Sequence, residues 1–157
     1  MEYREVEIEE IEQVAKLHNE LVYFIQAVTN DDYWDFNILS VEAISGYMRD
    51  FVEHPDRRIF IAKDNGTILG FIAGELMECH LPISSTKQVG YISGAYVLNE
   101  YRGLGIMKNL ELLMANFFQE IGVKYIEVTF LSKNQIAREC WSKLGYEVFR
   151  EQARKKL

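Results

Sequence analysis

Gly103 and Gly105 follow Arg102 and stand directly before the strongest amphipathic run of the chain. In that run Ile106, Leu110, Leu113, Met114, Phe117, Phe118 and Ile121 share one helical face, and Lys108, Asn109, Glu111 and Gln119 share the other. The start of a helix has amide N–H groups without partners and the positive end of the helix dipole, so glycines there let backbone close around an anion. The same letters also fit a plain tight turn, with Arg102 paired to a surface carboxylate. Two familiar phosphate loops are excluded. Lys108 stands where a dinucleotide loop needs its third glycine, and Gly105-Ile106-Met107 stands where a triphosphate loop needs Gly-Lys-Ser/Thr. What remains is a phosphate or pyrophosphate held by backbone amides, with Arg102 adding charge.

The elements that position this loop follow from hydrophobic spacing. Residues 3–8 alternate as a short strand, and Ile11, Val14, Ala15, Leu21, Val22 and Ile25 recur at helical spacing. Ser40 is a fitting N-cap for a second helix to about Phe51, and Pro55 ends it. Ile59–Ala62 reads as a strand, Asn65-Gly66 as a type I′ hairpin turn, and residues 68–78 as the returning strand. Residues 88–98 form the strand that runs into the glycine loop. After the long helix, which Gly122 ends, residues 125–130 read as a strand. Asn134 caps a short helix carrying Ile136, Ala137, Cys140, Trp141 and Leu144, which Gly145 ends. Tyr146–Phe149 alternate as a last strand, and Arg154-Lys155-Lys156 reads as a frayed tail. The expectation is one mixed α/β domain over residues 1–157, in the order β-α-α-β-β-β-α-β-α-β.

Composition narrows the partners. With 157 residues, 48% of them hydrophobic, one globular core is expected and disorder is excluded. The net charge of −7 lacks the positive field that nucleic acid or an anionic membrane surface requires. It favours a cationic small molecule or a basic peptide. Cys79 and Cys140 stand apart without metal-ligand spacing, and His18, His54 and His80 show none with them, so no metal site is expected. The N-terminus is acidic where a signal peptide is basic, and no run approaches the roughly 18 apolar residues of a membrane span. A cytoplasmic protein is the expected reading.

On these residues the chain resembles the GNAT superfamily of N-acetyltransferases, whose signature is Arg/Gln-x-x-Gly-x-Gly/Ala at a helix start. Arg102, Gly103, Leu104, Gly105 and Ile106 match it, and Met107 departs from its small last residue. Val97 falls where the superfamily has its usual valine, and Asn134-x-x-Ala137-x-x-x-Trp141-x-Lys143-Leu144-Gly145-Tyr146 is similar to its C-terminal segment. The resemblance implies an acyl-CoA N-acyltransferase fold with a central, mixed, mostly antiparallel twisted sheet flanked by helices. It also implies acetyl-CoA as co-substrate. Backbone groups of Ala95, Tyr96 and Val97 would then pair with its pantetheine arm, residues 102–107 would cradle its pyrophosphate, and Asn134 and Trp141 would line it. Homodimers are frequent in the superfamily.

Transfer to an amine needs the free base, because an ammonium has no lone pair and a lysine-like amine has a pKa of about 10.4. Some members carry a glutamate base in the strand before the loop, and counting back from Val97 puts Tyr91 there, with Glu75 across the hairpin. The pair either accepts the amine proton or is an ordinary cross-strand contact. Many members use a tyrosine of the last helix as the acid for the leaving thiolate. Here that position is Trp141, which donates a hydrogen bond but no proton. Either the thiolate leaves unassisted, or Tyr146 or Ser142 substitutes, or the protein is a non-catalytic acyl-CoA sensor. Asp31, Asp32, Tyr33, Trp34 and Asp35 fall in the region that walls the acceptor in this superfamily, and they suit a cation by charge and ring faces or form a solvated loop. The acceptor itself, whether polyamine, aminoglycoside-like antibiotic, amino acid or protein amine, stays open.

Overall fold

A computed structural model describes residues 1–34 and 39–157. Strand β1 (Glu2–Glu5) leads through a single helical turn at Ile8–Glu10 into α1 (Ile11–Thr29), and α2 (Val41–Glu53) follows. Three strands come next: β2 (Arg57–Asp64), β3 (Thr67–Glu78) and β4 (Gln88–Val97). The chain closes with α3 (Ile106–Glu120), β5 (Ile126–Val128) and α4 (Gln135–Lys143). The sheet runs β1-β2-β3-β4-β5 in space, with every neighbour antiparallel except β4 and β5, which are parallel.

The local signals act as their chemistry dictates. Ser40 Oγ accepts the Ala43 N–H at 3.2 Å, and Asn134 Oδ1 accepts the Ala137 N–H at 3.1 Å, so both short polar residues cap their helices. Asn65 and Gly66 both have positive φ, as a type I′ turn demands. The sheet separates two cores. Ile59, Ile61 and Phe71 face α1 and α2 through Val14, Met48 and Phe51. Leu69, Ile72 and Ile92 face α3 through Leu110, Met114 and Phe118, and Trp141 of α4 joins them. Helix α3 lies close on the sheet because Gly90 offers no side chain: a Cβ there would stand 2.6 Å from the Phe118 ring.

Residues 147–149 form no strand and are exposed. Alternating letters need a half-buried surface to follow, and here both phases of the alternation face outward. Strand β5 is also shorter than expected, three residues long. Its brevity matters for the site described below.

A buried carboxylate ties the first strand to the sheet. Glu10, 5% exposed, accepts both Arg4 guanidinium nitrogens at 2.7 and 2.8 Å, Lys63 Nζ at 2.5 Å and the Glu7 N–H at 3.0 Å. Arg4 in the first place holds its pKa down at about 2, against the cost of burial. A folded-state pKa below the unfolded value contributes stability above the unfolded pKa and loses it as pH falls toward the folded one. Glu10→Gln is therefore expected to destabilise the fold by about 2–3 kcal/mol at pH 7, since it removes the buried charge that Arg4 and Lys63 share, while Arg4 keeps its pair with Glu2. Urea melts check this: the gap between parent and variant should narrow at pH 3, and a gap independent of pH would contradict it.

Candidate active site

Strand β4 pairs with β3 along its whole length, but with β5 only through Gly90, Tyr91 and Ile92. The ladder to β3 slips at one point, where Ala73 faces Gly94 while Gly74 faces Ile92. Ser93 is left unopposed, a β-bulge that bends the strand just where β5 ends. Beyond it the two parallel strands part, and a cleft opens between them. Ser93, Gly94 and Ala95 form one wall, and residues 128–131 at the end of β5 form the other. Leu21, Ile25 and Trp34 close it from the α1 side, and Asn134, Ala137 and Trp141 from α4. The lining is mainly apolar, so a narrow, mostly apolar chain with a few polar groups fits it.

At the end of β4 the glycine loop carries the chain into α3. Gly103 and Gly105 both have φ of +79°, and a Cβ at either would meet no atom within 4 Å. The loop is open on that side. Gly105 is the N-cap residue and has no side chain to satisfy the first-turn amides of α3. Leu104 is exposed, and Met107 is partly buried against the core beneath α3. Anionic oxygens therefore fit this cradle through backbone donors.

Arg102 is engaged within the fold. Its Nε donates to the Val97 carbonyl at 3.0 Å and its guanidinium lies 4.3 Å from the Phe24 ring centroid and 5.4 Å from that of Tyr96. It ties the end of β4 to α1. Ala95 lines the cleft, whereas Tyr96 points to the opposite core and sends its hydroxyl toward Glu20 Oε2 at 3.4 Å. Burial first, then Glu20, raises the Tyr96 pKa.

Glu75 and Tyr91 are direct cross-strand partners. Neither is among the residues lining the cleft; Tyr91 adjoins the lining residue Ile92 along the strand. Arg57 Nε pairs with Glu75 Oε2 at 3.3 Å, and its guanidinium rests over the Phe51 ring. On the α4 side, Trp141 is buried and meets Tyr146 edge-on at 5.2 Å. The Tyr146 hydroxyl donates to Glu111 Oε1 at 3.0 Å, and burial pushes its pKa far up. Neither Tyr146 nor Ser142 lines the cleft. Burial also raises the Cys140 thiol pKa, which leaves it a poor nucleophile. Sequence reasoning missed Ser93, a lining residue of the cleft whose hydroxyl donates to the Ala73 carbonyl at 3.4 Å. A serine followed by glycine within a strand was its only signal.

The turn after α1 begins at Asn30, which has a left-handed backbone, and carries Asp31, Asp32, Tyr33 and Trp34. Asp31 accepts the Tyr33 N–H at 3.0 Å, Tyr33 is exposed, and Trp34 reaches the cleft. Asp35 lies outside the described residues. The C-terminal tail, expected to fray, is seated instead on this turn: Arg154 pairs with Asp31, Lys156 pairs with Asp32, and Arg154 lies 5.0 Å from the Tyr33 ring centroid. Among the described residues no helix is long and apolar enough to cross a membrane.

Comparison with known proteins gives consistent results. The family model of the acetyltransferase (GNAT) family matches residues 12–146. Among solved structures, the chain is similar to aminoglycoside 6'-N-acetyltransferase AAC(6')-IG from Acinetobacter haemolyticus, at 13% identity and a TM-score of 0.79, covering 100% of this chain and 98% of that one. It is similar to AAC(6')-Iy in complex with a bisubstrate analogue, CoA-S-monomethyl-acetylneamine, at 15% identity and a TM-score of 0.77, covering 99% and 97%. A predicted acetyltransferase with acetyl-CoA from Clostridium acetobutylicum matches at 18% identity and a TM-score of 0.77, covering 99% and 95%. At these identities the likeness carries the fold.

Proposed function

Since the chain belongs to the acetyltransferase (GNAT) family, we propose that it transfers the acetyl group of acetyl-CoA to a primary amine on a small molecule or a basic peptide, by direct attack. The observation that carries this reading is the parting of β4 from β5 beside an α3 start whose amides no side chain caps. Gly103, Gly105, Ile106 and Met107 would hold the pyrophosphate through backbone groups, and Ala95, Asn134 and Trp141 would line the arm. Acetyl-CoA supplies an activated acyl group with a good leaving thiolate. The chain's own residues hold the donor, orient the amine and take its proton.

Glu75 is the candidate base. It stands across the ladder from Tyr91 and pairs with Arg57, and since neither Glu75 nor Tyr91 lines the cleft, the amine proton would reach its carboxylate through a bridging water. Asp31, Asp32, Tyr33 and Trp34 form the wall that attracts a cationic acceptor, in keeping with the net charge of −7. Neither cysteine lines the cleft, which supports transfer without an acyl-enzyme. Initial rates at varied acetyl-CoA and amine should give intersecting lines. Parallel lines, with acetyl label retained on the protein when amine is omitted, would contradict direct attack.

One observation favours a second reading. Trp141 occupies the position of the family's acid, and neither Tyr146 nor Ser142 lines the cleft. A sensor that binds acyl-CoA without turnover fits these facts too, and it predicts binding with no thiol release in the presence of any amine.

A further inference from the structure

The last residues of the chain reach back over more than 120 sequence positions to the acidic turn after α1. Arg154 and Lys156 are two apart, so an extended segment presents both on one side, with Lys155 on the other. Their partners Asp31 and Asp32 are consecutive, and the Arg154 guanidinium also covers Tyr33. Asp31 is the anchored end, its side chain 11% exposed; the Lys156 and Asp32 side chains are 84% and 72% exposed. The next residue, Trp34, lines the cleft. A basic segment thus occupies the surface that the acceptor reading assigns to the incoming amine.

We propose that the C-terminal tail is a built-in competitor at the acceptor wall, a strap that a cationic acceptor must displace before it reaches the cleft. The inference rests on the assignment of Asp31, Asp32 and Tyr33 to acceptor binding. Exposed ion pairs are weak and are screened by salt, so the strap is held loosely and yields to a better ligand. A monocation replaces only one of the two contacts. A ligand with two or more positive groups spaced to meet both aspartates replaces the pair, and Tyr33 offers its ring to one of them. The acceptor class this selects is a polyamine or a peptide with neighbouring basic side chains.

The test uses the 157-residue chain and the triamine spermidine as probe, with two readouts. The first is the KM for spermidine in acetyl-CoA-dependent thiol release by the parent, R154Q/K156Q and D31N/D32N. Removing the strap should lower KM about three- to fivefold with kcat unchanged, as expected when weak exposed pairs are lost, whereas D31N/D32N should raise it. The second readout needs no turnover: trypsin cleavage after Arg154 and Lys155 should be slow in the parent. It should quicken severalfold in D31N/D32N and on adding spermidine, and by clearly less on adding sodium chloride to the same ionic strength, which screens the pairs without replacing them.

Equal cleavage in the parent and D31N/D32N, unmoved by spermidine, would overturn the strap; if D31N/D32N still raised KM, the acceptor wall would stand without it. Slow cleavage that depends on the aspartates, with a KM that neither pair of substitutions moves, would show that the tail docks away from the acceptor path. That outcome overturns the competition and the acceptor wall together. Absence of turnover in all three proteins, with cleavage insensitive to spermidine, likewise overturns it.

Discussion

Gly105→Arg is expected to weaken acetyl-CoA binding by at least about 100-fold, a loss of roughly 2.7 kcal/mol, in a protein that keeps its fold. Gly105 sits at φ +79° with nothing within 4 Å of a Cβ position, so the new side chain has open space at its root and would compete with the pyrophosphate for the cradle. The left-handed backbone adds strain of about 1–2 kcal/mol, which lowers the melting temperature without unfolding the chain. Gly66→Ala is the control for strain alone, because Gly66 has φ +84° and equally open surroundings on the β2–β3 hairpin, outside the cleft lining. That variant should lose a similar few degrees and retain full affinity. Calorimetric titration with acetyl-CoA, beside thermal melts, separates the two effects. Undiminished binding by a folded Gly105→Arg protein would remove the cradle from the account.

The second large effect is expected at Glu75. Replacing it with Gln should reduce kcat/KM for an amine acceptor by about 100-fold at pH 7, the usual scale for a lost general base. The deficit should shrink toward pH 9, because the fraction of free amine rises about tenfold per pH unit below an amine pKa near 10.4, and the need for a base falls with it. Glutamine keeps the size of the side chain and its cross-strand contact with Tyr91. Arg57, which loses its ionic partner, is 29% exposed and regains water, so stability should change little. A pH–rate profile of the variant that superimposes on the parent's would exclude Glu75 as base. A uniform loss at every pH would assign Glu75 to positioning rather than to proton transfer.

How much of this was legible from residues depended on distance along the chain. Asn65-Gly66, Ser40, Asn134, Gly122 and Gly145 each act on backbone within a few residues, and their local chemistry foretold turn, caps and helix ends. The pairing of Glu75 with Tyr91 was reachable because the connection between β3 and β4 is short enough to centre. The slip at Ser93 was not, since a bulge depends on how three strands twist together, and it is this slip that bends β4 beside the cleft. Arg102 reads from its neighbours as a phosphate ligand or the partner of a surface carboxylate, and its contact with the ring of Phe24, far away in sequence, is legible from neither. The tail looked frayed for the same reason: an ion pair between chain ends leaves no periodicity behind. Tyr146–Phe149 shows the reverse error, in which four alternating letters stood for a strand that the structure does not form.

The cleft is proposed to carry an acetyl group from thioester to amine. Release of free thiol from acetyl-CoA, followed with a panel of primary amines and with each product identified by mass, tests it most directly. The account predicts release above background only when protein and an amine are both present, with the acetylated amine as product, and its loss in Gly105→Arg. Acetyl-CoA binding without thiol release for any amine between pH 7 and 9 would contradict it and identify a sensor built on the same fold.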